Sequence, residues 1–377
     1  MPHTVPNHTS DPFVIRFDPA LRGADQGPLS GLTLAVKDLF DVAGYPTLNG
    51  LKDWPDQAPK TANAALVQRL LNLGMDIVGK VVTEQLAHST IGINPDYGTP
   101  RNARDAARIP GGSSSGSGSA AALGLCDVGL GSDTGGSVRI PAAYQGLWGM
   151  RPSLGSLPLD GAMELAPSFD TPGFLTRDLA TLTRVHQALT SETSETSETP
   201  KPLKLALPPQ IWAYFGLPVP LDAPTVDLPW DSDRAARLSV AFRYAQALEV
   251  TARLGHLADD HTLNLHPMIR ARLVWNKGVV QDQKDKAFAD IADDLAQFQD
   301  ILGTDTALIW PTIVEQAPLI SEADTWGEEH RARQFALTAP AGLLGVPQLH
   351  CPIGDLGFSL IGPKGADLDL LETAKGL

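Results

Sequence analysis

Apolar positions along the chain come in short clusters divided by Gly-, Pro- and Asp-rich breaks. Residues 32–37 form an apolar run of strand length, and residues 64–73 repeat apolar side chains at helical spacing before Gly74, a residue suited to the position after a helix end. Residues 75–78 then predict a strand and 83–87 the start of a second helix. This strand–helix–strand–helix rhythm predicts an α/β layered core. Residues 1–30 are rich in Pro, Asp and Gly and are expected to wrap the surface. The 152–172 stretch is irregular, and 176–190 is mainly helix. Amphipathic helices are expected within 226–255 and 279–302. In the second of these, Ala287, Phe288, Ile291, Ala292, Leu295 and Phe298 make one apolar stripe, whose plain reading is core packing. Residues 308–312 predict a strand returning to the core, 335–349 a helix and turn, and 356–361 a last strand. Three tandem Ser-Glu-Thr triplets fill 191–199. With no apolar residue to bury, 191–200 predict a solvated flexible linker.

One stretch breaks this pattern. Pro110-Gly111-Gly112-Ser113-Ser114-Ser115-Gly116-Ser117 and Gly131-Ser132-Asp133-Thr134-Gly135-Gly136-Ser137-Val138-Arg139-Ile140-Pro141 are two Gly/Ser-rich loops. They bracket a short helix over 120–125 and a strand over 125–130. A single run of this kind is most simply a linker, but a linker has no reason to recur around a core element. A phosphate-binding loop is excluded, since no lysine follows either glycine run. Residues 112–116 match the G-x-S-x-G elbow of another hydrolase class, which would require a late histidine, and His350 is the one available. Successive N–H groups in a Thr-Gly-Gly-Ser turn can converge on one developing oxyanion, and a serine beside that turn is a candidate nucleophile.

Composition narrows the function. The 377 residues carry a net charge of −14 and are 43% hydrophobic and 19% charged. That acidic balance argues against a nucleic-acid or anionic-lipid surface. No run of about 18 apolar residues suggests a membrane span. Two cysteines, Cys126 and Cys351, make no disulfide framework, and with no secretory leader visible the expected setting is the cytoplasm. Cys126 lies in an apolar run and reads as a core residue. The nine histidines show no ligand spacing, so no metal is expected.

The two loops, in this order and 24 positions apart from Ser113 to Ser137, resemble the signature of the amidase signature family of serine hydrolases. The upstream Leu34-Ala35-Val36-Lys37-Asp38-Leu39-Phe40-Asp41-Val42-Ala43-Gly44 is similar to the segment that carries the family's lysine. The likeness is dense over 30–190, lapses over 191–305, and resumes at Trp310-Pro311-Thr312 and over 339–362. Within the family, Tyr97-Gly98-Thr99-Pro100 and Ser168-Phe169-Asp170-Thr171-Pro172-Gly173 look most like the plant indole-3-acetamide hydrolase branch and its chloroplast import-receptor relative.

The resemblance implies a single large α/β domain with a mixed central β-sheet sandwiched between helices. Its signature core is 30–190, its variable helical segment 201–305, and its return to the core 306–377. It implies hydrolysis of a small carboxamide without cofactor, with no nucleic acid or membrane as partner and a homodimer left open. Ser137 would be the nucleophile, Ser113, after a cis peptide, the proton relay, and Lys37 the base. The N–H groups of Thr134, Gly135, Gly136 and Ser137 would form the oxyanion hole, with Ser114, Ser117, Asp133 and Arg139 supporting the loops. A base must be neutral, so burial has to pull Lys37 well below its usual value of about 10.4, with Asp38 turned to the other strand face. Two other readings stand beside this one. A glutaminase-type subunit of a tRNA-dependent amidotransferase usually has Gln between the Arg and Pro, where this chain has Ile140. A non-catalytic amidase-like binding module would have lost residues that are all present here.

Overall fold

The computed structural model describes residues 9–191, 199–325 and 328–377. Twelve strands organise it. Thr9–Ser10 (β1), Phe13–Leu21 (β2), Thr33–Lys37 (β3), Asp76–Val81 (β4), Thr99–Pro100 (β5) and Val128–Asp133 (β6) come first. Trp148–Arg151 (β7), Thr171–Thr176 (β8), Lys204–Ala206 (β9), Thr306–Trp310 (β10), Gln348–Cys351 (β11) and Phe358–Ile361 (β12) follow. Ten of them form one sheet, in the order β2-β4-β3-β6-β8-β7-β11-β12-β10-β9, while β1 and β5 pair separately. The sheet is mixed: β4, β3 and β6 are parallel neighbours, and β6-β8-β7-β11-β12-β10 is an antiparallel run. Helices cover both faces, as buried strands such as Leu34-Ala35-Val36 require. The fold is the expected single α/β domain.

Several boundaries differ from the sequence pattern. The N-terminal region is not all surface wrapping, because Phe13–Leu21 is an edge strand antiparallel to β4. Its alternation is blurred by register shifts after Phe13 and Arg16, which hide a strand period. Residues 83–87 do not begin a helix. Gln85–Ala87 is one 3-10 turn, with Leu86 and Ala87 at φ of 56° and 52°.

The first Gly/Ser run is the larger departure. From Ser115 it is helix, spanning Ser115–Ala122 with Ser115 to Ala121 buried. A Cβ on Gly116 would lie 2.5 Å from the Val82 backbone nitrogen, and one on Gly129 2.4 Å from the Ser117 carbonyl oxygen. Small side chains there let the helix backbone rest directly on the sheet, and that packing overrides poor helix propensity.

Three helices, Pro209–Phe215, Pro267–Lys277 and Asp367–Ala374, were not evident in the pattern. The 335–349 segment resolves into a helix, Glu328–Leu344, and strand β11. Of the apolar stripe of 287–298, Ala287, Ile291 and Phe298 are buried in the core, Phe288 and Leu295 are half-buried against it, and Ala292 is exposed. The stripe is split between helices Gln281–Asp290 and Ala292–Leu302, which break at Ile291. Of the linker expected over 191–200, Ser191 closes the Leu179–Ser191 helix, and 192–198 lie outside the described residues. Among the described residues no helix is long and apolar enough to cross a membrane.

Candidate active site

The register of the parallel strands assembles the site. Val36 pairs with Leu130 and Lys37 with Val81, so Lys37 emerges at the C-terminal edge of β3 beside the end of β6. That edge is where open α/β sheets present chemistry. The Lys37 amine is fully buried and meets three hydroxyls: Ser113 Oγ at 2.8 Å, Ser132 Oγ at 2.9 Å and Ser114 Oγ at 3.1 Å. As an ammonium it donates to all three. As a neutral amine it donates to two and accepts from the third. Ser114 Oγ also bonds the Ser132 backbone, accepting from its N–H and donating to its carbonyl at 3.3 Å each. Ser113 Oγ is thus the hydroxyl best placed to donate to the nitrogen lone pair.

Burial pushes the Lys37 ammonium from 10.5 down to about 7, against the opposing pull of the Glu84, Asp133 and Asp170 carboxylates. Asp38 does turn away: its carboxylate pairs at 2.7 Å with Lys80, another buried lysine. Burial raises the Asp38 carboxyl and lowers the Lys80 ammonium, and the pairing opposes both shifts. Lys37 therefore has no carboxylate within bonding distance among the described residues, although one is adjacent to it in sequence.

Ser113 follows a cis peptide from Gly112. Its carbonyl accepts from the Glu84 N–H at 3.2 Å and from Thr83 Oγ1 at 3.1 Å. The Ser114 N–H donates to the Ser137 carbonyl at 3.2 Å, which joins the first loop to the second. Burial lifts the Glu84 carboxyl to about 7, opposed by neighbours including Ser89, Arg272 and Lys37.

Asp133 holds the second loop in shape. Its carboxylate accepts from the N–H groups of Gly136 (2.9 Å) and Val138 (3.1 Å), and from the Arg139 guanidinium at 2.7 and 2.9 Å. Arg151 adds a contact at 3.2 Å. Burial opposes ionisation of Asp133, but the Arg139 and Arg151 charges outweigh it and hold the carboxyl far below its ordinary range. The Gly136 N–H is thereby committed to Asp133. The N–H groups of Thr134, Gly135 and Ser137 have no internal acceptor among the described residues. Ser117 lies apart from the amine and fastens its helix to β6, donating to the Leu130 carbonyl at 2.8 Å.

Ser132 was missed in the sequence, although it sits inside the second loop directly before Asp133. Asp170 was missed as well. It accepts from the Leu165 and Ala166 N–H groups at 2.8 and 2.9 Å and from Thr134 Oγ1, which braces the turn. His350, needed by the elbow alternative, is buried on β11 and bonded at 2.8 Å to Thr312 Oγ1, while Ser114 serves Lys37. That alternative falls.

A small pocket of about 10 Å³ reaches Ser137. Its walls include Ala87, His88 and Leu165, Gln246 of the Ser232–Leu254 helix, and Arg331 and Phe335 of the Glu328–Leu344 helix. A cavity of about 260 Å³ elsewhere, beside Arg104 and Tyr144, contains none of the site hydroxyls. No group of three or more metal-capable side chains occurs among the described residues.

Residues 16–211 match the model of the Amidase family. Amidase 1 of Oryza sativa subsp. japonica is 30% identical over 97% of this chain and 94% of its own length. The chain belongs to the amidase family. Mandelamide hydrolase of Pseudomonas putida is 38% identical over a shorter stretch, 52% of this chain and 40% of its own. A solved amidase crystal structure superposes with a TM-score of 0.78 at 29% identity, covering 93% of this chain and 84% of that one. The chain is, with these relatives, a hydrolase of amide C–N bonds.

Proposed function

We propose that this amidase cleaves a small carboxamide to carboxylic acid and ammonia through an acyl-enzyme on Ser137. The observation that carries this reading is the 2.8 Å contact between the buried Lys37 amine, whose proton affinity burial lowers to about 7, and Ser113 Oγ. Lys37 takes the Ser113 proton as Ser113 takes that of Ser137, so that the Ser137 oxygen attacks the amide carbon. The carbonyl oxygen becomes an oxyanion facing the uncommitted N–H groups of Thr134, Gly135 and Ser137, each of which is typically worth about 3–4 kcal/mol. The relay then returns the proton to the leaving nitrogen. The C–N bond breaks, ammonia departs and the acyl group stays on Ser137. Water, activated by the same relay, attacks the ester and releases the acid and the free serine. Atoms balance with water as the only co-reactant, and no cofactor is called for.

Ammonia release from a panel of small amides, with mass spectrometry of the trapped acyl adduct, tests the proposal. An adduct on Ser137 is expected. Inactivity across the panel together with stable association with a second subunit would replace it by the amidotransferase reading.

A further inference from the structure

We infer that Thr338 is a positioning residue for the oxyanion site: through the Gly135 carbonyl it fixes the aim of the Gly135 and Ser137 N–H groups. This inference rests on the proposed acyl-enzyme chemistry and adds to it a residue outside the signature loops. In a trans peptide the C=O and the following N–H point in opposite directions, so a bond to one end aims the other. Two peptides of the turn are held through their carbonyls. Asp133 O accepts from Arg151 Nη1 at 2.6 Å, and Gly136 O accepts from the Ile140 N–H at 2.8 Å. The Gly135–Gly136 peptide between them joins two glycines, the residue type with the least restricted backbone, and it is held at both ends. Its N–H donates to Asp133 at 2.9 Å, and its C=O accepts from Thr338 Oγ1 at 2.8 Å. The planes on either side carry the Gly135 and Ser137 N–H groups, and their relative orientation depends on this one.

Thr338 is fully buried in the Glu328–Leu344 helix and firmly placed. Its own carbonyl accepts from Arg139 Nη1 at 2.8 Å, and the preceding Leu337 carbonyl accepts from Trp310 Nε1 at 2.8 Å. A threonine inside a helix ordinarily turns its hydroxyl back to the carbonyl four residues earlier, which here is Gln334 O at 3.2 Å. The hydroxyl has one proton to give, and the shorter contact directs it to Gly135. The methyl packs on the same turn: a Cβ on Gly136, whose φ is 119°, would lie 3.0 Å from Thr338 Cγ2. Arg139 binds Asp133, which holds the N–H end of the peptide, and also the Thr338 carbonyl, so one guanidinium keys the two clamps to each other.

The test compares Thr338→Val, which keeps the shape and removes the hydroxyl, and Thr338→Ala with Thr338→Ser, which restores the donor. The substrate is the amide that the wild type turns over fastest in the small-amide panel. In the valine and alanine variants kcat should fall about 10- to 100-fold, short of the roughly 100- to 1,000-fold typical of losing an oxyanion donor outright, with KM within about twofold. The serine variant should recover most of that loss. The aldehyde with the same acyl group, which Ser137 converts to a tetrahedral adduct, should bind the valine variant more weakly by the factor that kcat loses. The rise of the pH–rate profile through about 7 should stay in place, since Lys37 is untouched. Circular dichroism establishes which variants fold. Folded valine and alanine variants with wild-type kcat overturn this inference and leave the amidase reading intact. So does failure of both to fold, which makes Thr338 a structural residue. A loss confined to KM, or a serine variant no better than valine, overturns positioning through the hydroxyl. Absence of turnover by the folded wild type across the panel overturns the underlying reading and this one with it.

Discussion

Replacing Lys37 by methionine should separate chemistry from stability. The side chain is fully buried, and burial lowers its amine from 10.5 to about 7. Between those values the unfolded chain holds one proton more at this position than the folded one. Wild-type stability should therefore rise with pH there, relative to Lys37→Met, by ~1.36 kcal/mol per pH unit. Integrated from pH 7 to 10.5, the difference grows by about 5 kcal/mol. The folded value is depressed, so the stabilising contribution is complete above the unfolded value and is lost as pH falls toward 7. Urea unfolding of both proteins at half-unit intervals from pH 6.5 to 10 measures it, because every other titrating group is common to the pair and cancels. The variant should also lose about 100- to 10,000-fold in turnover, as removal of a general base entails. Two stability curves running parallel across that range would refute a buried neutral amine, and with it the base.

Ser137→Ala should abolish turnover to within background, while Ser113→Ala keeps a measurable residue, since water can stand in for a relay and not for a nucleophile. Turnover by Ser137→Ala at the wild-type rate would contradict the assignment. The pH–rate profile of the wild type should rise through about 7 as Lys37 loses its proton. Glu84→Gln removes a carboxylate that favours the ammonium, so it should move that rise to lower pH; movement upward would exclude Glu84 as the tuning charge. Gly129→Ala forces a methyl against the Ser117 carbonyl and should destabilise by about 1–3 kcal/mol. An unchanged melting temperature would show that the helix–sheet contact has slack.

Sequence pattern reached the chemistry further than it reached the shape. The resemblance singled out Lys37 and Ser113 from separate stretches of sequence, and the fold brings the Lys37 amine to 2.8 Å from Ser113 Oγ. Ser132 was hidden by its setting, as one more hydroxyl in a serine-rich loop until strand register aims it at Lys37. The first turn of the Ser115–Ala122 helix was taken for loop because its small residues suit packing against a sheet, and no local rule reports that. Strand β2 was obscured by its register shifts. The Gln246–Arg331 wall lay beyond reach for a different reason: the two positions are 85 apart in sequence (331 − 246), and only tertiary packing gives them a common pocket.

The buried Asp38–Lys80 pair has a consequence for how the protein can change. It occupies the acid that directly follows Lys37 in sequence, so the Lys37 amine, whose proton affinity burial lowers, meets no adjacent carboxylate. A change that removed Lys80 would leave the Asp38 carboxylate buried and unpaired, a costly outcome. The helices that carry Gln246 and Arg331 stand outside this ion pair.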